Sequence, residues 1–218
     1  MENEDGSDPH AGQPVASTGV PVEDATTAVI MLHGRGATAD GMLDLAGELP
    51  SDGIVFLALQ AAGNTWYPRS FLAPIETNEP ALSSALHAVD RLVDETSRKG
   101  IPRRRIVLLG FSQGACLATE YAARHARRYG GVIAFSGGLI GPDGTSRDHD
   151  GSFDGMPAFI GCSDVDPHIP VERVHETARV YDAMDARVDK RVYSGMGHTI
   201  NQDELEAARD LIVAARTS

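Results

Sequence analysis

The pentapeptide Gly110-Phe111-Ser112-Gln113-Gly114 has the most direct chemical content in this sequence. It lies between an apolar run, Ile106-Val107-Leu108-Leu109, and a stretch with helical spacing over residues 113–127. A serine on a sharp strand-to-helix turn projects its hydroxyl clear of the backbone, and flanking glycines let strand and helix pass closely. That context makes Ser112 the candidate nucleophile; the bland reading is a serine that caps the helix. A hydroxyl is a weak nucleophile until a base takes its proton, and the base needs a carboxylate to orient it. Among eight histidines, His198 ends a glycine-rich turn, Gly195-Met196-Gly197-His198, directly after an expected strand at 188–193. His10 falls in the N-terminal tail. His33, His87 and His125 precede the nucleophile or sit on helices near it, and His168 and His175 follow only the penultimate strand. For the carboxylate, the loop after Ala158-Phe159-Ile160-Gly161 offers Asp164 and Asp166, which spacing does not separate. Pro167 and Pro170 stiffen the turn that begins at Asp166.

Such residues need a frame that brings them together. Short apolar runs at 28–32, 54–59, 106–109, 132–135 and 158–160 read as strands, and 188–193 as a further strand. Between them, residues 81–98, 113–127, 171–185 and 202–215 have helical periodicity, and Asp40 is placed to cap a further helix carrying Met42, Leu43, Leu45 and Leu49. Apolar strands alternating with amphipathic helices predict an α/β fold, a doubly wound, mostly parallel sheet with helices on both faces. Ligands of such sheets gather beyond the carboxyl ends of the strands, where Ser112, the pair Asp164 and Asp166, and His198 all fall. Residues 1–24, rich in Glu, Asp, Gly, Pro and Ser, read as a loose, flexible acidic lead-in, and 25–218 as one domain without a cap domain.

Composition narrows the function classes. The 218 residues carry 31 acidic against 19 basic side chains, a net charge of −12. An acidic globule repels phosphate backbones and anionic lipid heads, which argues against nucleic-acid and membrane-surface roles. Cys116 and Cys162 are too few for a disulfide framework and read as buried thiols of a reducing compartment. The N-terminus, MENEDGSDPH, is acidic where a secretory signal is cationic and then apolar. No apolar run approaches the roughly 18 residues that insert across a bilayer, so a cytoplasmic protein is expected. There is no H-E-x-x-H, cysteine cluster, phosphate loop or dinucleotide fingerprint, so neither metal nor cofactor is expected. Oligomeric state, a homodimer included, stays open.

Five blocks follow one another in order: Leu32-His33-Gly34-x-Gly36, Gly100-Ile101-Pro102 through Arg105-Ile106, Gly110 to Gly114, Asp166-Pro167-x-Ile169-Pro170, and Gly195-Met196-x-His198. In these blocks the chain resembles the phospholipase/carboxylesterase family of α/β-hydrolases, which includes acyl-protein thioesterases and small bacterial carboxylesterases. The resemblance implies Ser112 as nucleophile, Asp166 rather than Asp164 as acid, and His198 as base. It also implies an oxyanion hole made by the backbone N–H groups of Arg35 and Gln113. The second of these is expected at a helix N-terminus, where free donors favour an anion. Because the role belongs to the backbone, loss of the Gln113 side chain is expected to be mild. Two departures stand out: Arg35 replaces a family leucine, leaving open whether its side chain enters the site or extends into solvent, and Ala115 replaces a frequent glycine.

Substrate clues are fewer. Trp66, Tyr67 and Phe71 concentrate in a long loop at 60–80 and are the candidate substrate-binding residues; the resemblance places an aromatic of this loop beside the acyl pocket. Trp66 has the alternative role of packing the loop onto the domain. The loops at 60–80 and 136–157 are too short for an interfacial lid, so an open site hydrolysing short-chain, small-molecule esters is expected. The rivals are an acyl-thioesterase, which shares the tetrahedral intermediate, a peptidase or C–C hydrolase, and a non-catalytic ligand-binding protein. A cysteine nucleophile of the dienelactone hydrolase type fits poorly, because Cys116 lies one helical turn past Ser112.

Overall fold

The computed structural model describes residues 8–217. Seven strands form one sheet: β1 (Val15–Gly19), β2 (Thr27–Leu32), β3 (Ile54–Leu59), β4 (Ile106–Phe111), β5 (Gly131–Phe135), β6 (Pro157–Ser163) and β7 (Arg187–Tyr193). Their order is β1-β3-β2-β4-β5-β6-β7. All neighbours run parallel except β1, which pairs antiparallel with β3. Among the described residues the α-helices are α1 (Ala39–Leu43), α2 (Ala81–Arg98), α3 (Gln113–Arg124), α4 (Val171–Ala183) and α5 (Gln202–Ala215).

Alternation along the strands sorts the core into two layers. Ala28, Ile30 and Leu32 of β2, with Ile106 and Leu108 of β4, face α2, α3 and α4. Val29 and Met31, with Val107 and Leu109, face α1 and α5. Both faces of the central strands are thus covered, so they read as continuous apolar runs. The doubly wound α/β fold expected from the sequence is the one found.

Three local expectations are corrected. The N-terminal stretch is not loose throughout. Its first seven residues lie outside the described ones, but β1 adds an edge strand with Val15 opposite Leu59 and Gly19 opposite Val55. Before it, the buried His10 ring joins the Trp66 carbonyl at 2.9 Å and the Ala62 N–H at 3.1 Å. An edge strand with one solvated face carries polar residues, which is why the segment looks like a tail. The cap of α1 is Thr38, whose hydroxyl accepts from the Gly41 N–H at 3.1 Å, while Asp40 sits in the first turn. Finally, α3 stops at Arg124, short of residue 127.

Candidate active site

Ser112 occupies the turn from β4 to α3 at φ 54°, a left-handed conformation costly for a non-glycine residue. Two glycines make the turn buildable. A Cβ on Gly110 would overlap the backbone of Gly114, and one on Gly114 would overlap the Leu32 carbonyl. The serine hydroxyl is thereby held off the sheet edge. Next in α3, Ala115 abuts Gly137, so the larger residue is accommodated by a small partner.

The loops after β6 and β7 meet this turn. His198 Nε2 lies 2.9 Å from Ser112 Oγ, and its Nδ1 lies 2.7 Å from Asp166 Oδ2. The Asp166 side chain is fully buried. Burial works to raise its pKa, but the hydrogen bond from His198 and those from the His168 and Ile169 N–H groups hold it below the ordinary carboxylate value. A carboxylate kept ionised in this way fixes the imidazole with Nδ1 protonated, leaving Nε2 free to accept the serine proton. The Phe111 ring, at 4.9 Å between centroids, and the edge of His168, at 4.8 Å, flank the imidazole. Asp164 is turned to the His198 loop instead, where it accepts from the Gly195 N–H at 2.8 Å, and Ser163 Oγ accepts from the Gly197 N–H at 3.1 Å. Together these bonds tie the His198 turn to the end of β6.

Below that turn, Asn201 and Glu204 cap the start of α5 reciprocally. Glu204 is buried, and Oε1 has no partner among the described residues and occupies the space left by Gly161. Burial pushes its carboxyl up to about 7.

On the opposite side, His33 orients the Gly34–Arg35 peptide. His33 Nδ1 is 2.8 Å from the Gly34 carbonyl, and Nε2 accepts from the Ala61 N–H at 3.1 Å, which defines a neutral imidazole with its proton on Nδ1. Burial lowers the His33 pKa and favours that form. In a trans peptide the N–H points away from the carbonyl, so the Arg35 N–H is directed from His33 toward the cleft. Gly34 itself lies against Ser112: a Cβ there would be 3.5 Å from the serine Cβ. The Gln113 N–H is at the first position of α3, where the helix supplies no acceptor.

The aromatic loop divides. Tyr67 and Phe71 line a cleft of about 640 Å³ together with Arg35, Ser112, Cys116 and His198. Trp66 does not line it. Its fully buried indole donates to the His33 carbonyl at 2.8 Å, because the one polar atom of a buried tryptophan needs an acceptor. The side chain of Gln113 pins the same loop: Oε1 accepts from the Trp66 N–H at 3.0 Å, and Nε2 donates to the Tyr67 carbonyl at 2.9 Å. Arg35 neither enters the cleft floor nor extends freely. Its guanidinium donates to Thr65 Oγ1 (2.9 Å) and to the Pro68 and Arg69 carbonyls (3.1 and 2.6 Å). Sequence reasoning missed these bridging roles, since each partner is 30 or more residues away. Cys116, beneath the cleft, is buried and its thiol is pushed up to about 12, so it stays protonated at neutral pH. A separate cleft of about 490 Å³ between β1 and α2 contains none of these groups.

The model of the phospholipase/carboxylesterase family matches residues 14–215. The chain belongs to that family. A crystal structure of a phospholipase/carboxylesterase from Dyadobacter fermentans is 46% identical, with a TM-score of 0.89 over 92% of this chain and 96% of that one. Acyl-protein thioesterase 1 of Saccharomyces cerevisiae is 28% identical over 90% of this chain and 96% of its own length. The Bacillus cereus carboxylesterase shares the fold, with a TM-score of 0.75 at 20% identity over 94% of this chain and 95% of that one. Family members hydrolyse esters or thioesters, and the present chain is an ester hydrolase in that broad sense.

Proposed function

We propose that the protein is a serine carboxylesterase that cleaves short-chain carboxylic esters through an acyl-enzyme on Ser112. The observation that carries this reading is the unbroken hydrogen-bonded line from Ser112 Oγ through His198 to a buried Asp166, opening into a cleft. Ser112 attacks the ester carbonyl as His198 Nε2 takes its proton, and Asp166 stabilises the imidazolium. The negative charge on the carbonyl oxygen is met by the Arg35 and Gln113 N–H groups. His198 returns the proton to the departing alcohol, then activates a water that releases the acid. This chemistry needs no cofactor beyond water.

The buried Tyr67 and Cys116 line the same cleft as Ser112. Initial rates on p-nitrophenyl esters from acetate to dodecanoate test the proposal. Fast turnover from acetate to hexanoate, abolished in Ser112→Ala, is expected. No turnover of any ester by folded protein overturns it and favours a ligand-binding role. A second reading, thioester cleavage, is favoured by the yeast relative's name. A rate maximum at octanoate or beyond moves the assignment there.

A further inference from the structure

The rim of the cleft has a charge opposite to that of the protein. With a net charge of −12, the chain nevertheless lines this cleft with Arg35, Arg69 and His168 and with no aspartate or glutamate. Arg35 has only neutral partners, three oxygens and the Tyr67 ring 5.9 Å from its guanidinium carbon, so its charge is solvated but not cancelled. Arg69 is exposed, and among the described residues its guanidinium has no hydrogen bond, carboxylate or ring partner. Its backbone, by contrast, is fixed. The buried Asn78 accepts from the Arg69 N–H at 2.8 Å and donates to the Ser70 carbonyl at 3.0 Å. A rigid main chain thus presents a free cation at the mouth, and the positive end of α3 below adds to the same field.

Position assigns the charge to one half of the substrate. His198 hands its proton to the leaving alcohol, so the alcohol lies on the side of His198 and His168. Arg35 and Arg69 belong to the other side, joined through the 65–69 segment above Tyr67 and Phe71. That side receives the acyl group. We propose, resting on the esterase reading above, that the preferred substrates are half-esters of dicarboxylic acids, whose acyl portion ends in a carboxylate held by Arg69 at the rim.

The test compares monoethyl glutarate with its neutral terminal-amide isostere, by pH-stat, for the wild type, Arg69→Gln and Arg69→Lys. At low salt the wild type is expected to favour the half-ester by roughly 2- to 5-fold in kcat/KM, as befits a charge-assisted contact at an exposed rim. Molar salt reduces the ratio. Arg69→Gln brings it toward one, and Arg69→Lys keeps part of it. A wild-type ratio near one, or a ratio that Arg69→Gln leaves in place, overturns the inference while ester hydrolysis itself stands. A second pair, butanoate esters of glycolate and glycolamide, moves the charge to the alcohol; a larger preference there overturns the assignment to the acyl half. Silence toward all these esters removes the esterase reading and this inference together.

Discussion

The turn that presents Ser112 and the loop that faces it reach rigidity by different means. The turn is built from its own neighbours: β4 ends, two glycines remove the steric bulk, and α3 begins, all within Gly110–Gly114. The loop at 60–80 has little structure of its own beyond short 3-10 turns. It is held from outside by Gln113, Arg35 and the carbonyl of His33, and across its own span by Asn78. A local device tolerates almost no change at its few positions. A network assembled over long range spreads its dependence over several side chains, each worth a moderate amount.

That contrast can be broken at either end. Ser112→Ala leaves the turn's packing intact, so it should fold normally while turnover falls about 10⁵- to 10⁶-fold; kcat and a melting curve on the same preparation separate the two effects. Gly114→Ala attacks the turn itself. Its Cβ has no room against the Leu32 carbonyl, and a loss of about 3 kcal/mol or more is expected by denaturant titration. Gln113→Ala removes the pins of the loop and leaves the buried Trp66 N–H unpaired. We expect a cost of about 1–3 kcal/mol, with kcat lowered because the loop no longer braces His33. This replaces the mild effect expected from the backbone role of Gln113 alone. Trp66→Phe deletes the bond to the His33 carbonyl together with part of the buried ring that packs against His10 and His33, and a comparable loss of about 1–3 kcal/mol should appear in stability.

The loop also predicts a pH response that the turn lacks. Burial lowers the pKa of both His10 and His33 from an ordinary value of 6.5. As pH falls below 6.5 the unfolded chain takes up protons that the folded histidines resist, so stability declines toward acid until their folded values are reached. Above that value both states are neutral there and the contribution is flat. The half-buried His125 and His149 add to this slope, and the raised Glu204 carboxyl opposes it. Denaturant midpoints of the wild type and His33→Gln are therefore compared from neutral to mildly acidic pH, and the variant should lose less stability toward acid by the His33 share.

These two regions also differ in how far they could be read before the structure. Ser112 and Asp166 fall after strands whose apolar runs are explicit in the sequence, whereas His198 follows the largely charged β7 and is marked by its glycine-rich turn; the helices declare themselves by spacing. The local glycines around Ser112 are equally visible. By contrast, nothing near Trp66 signals that its indole is committed to His33, or that Gln113 contributes a side chain as well as an N–H. Arg35 looked like a residue for substrate or solvent because its partners, Thr65 and the Pro68 and Arg69 carbonyls, come from another strand's loop. β1 was hidden for a related reason: an exposed edge strand has a polar composition, and only its pairing with β3 distinguishes it from a tail.

Gly161 and Glu204 are bound together in a way that bears on how this sequence can drift or be engineered. The carboxyl fills the volume that a side chain on β6 would need, and the same residue caps the helix that begins just past His198. A substitution at position 161 evicts the carboxyl, and a smaller residue at 204 opens a hole behind the base. The two sites therefore form an epistatic pair. A library that randomises either one alone will return mostly wild type, whereas paired changes that trade volume across the contact can recover function.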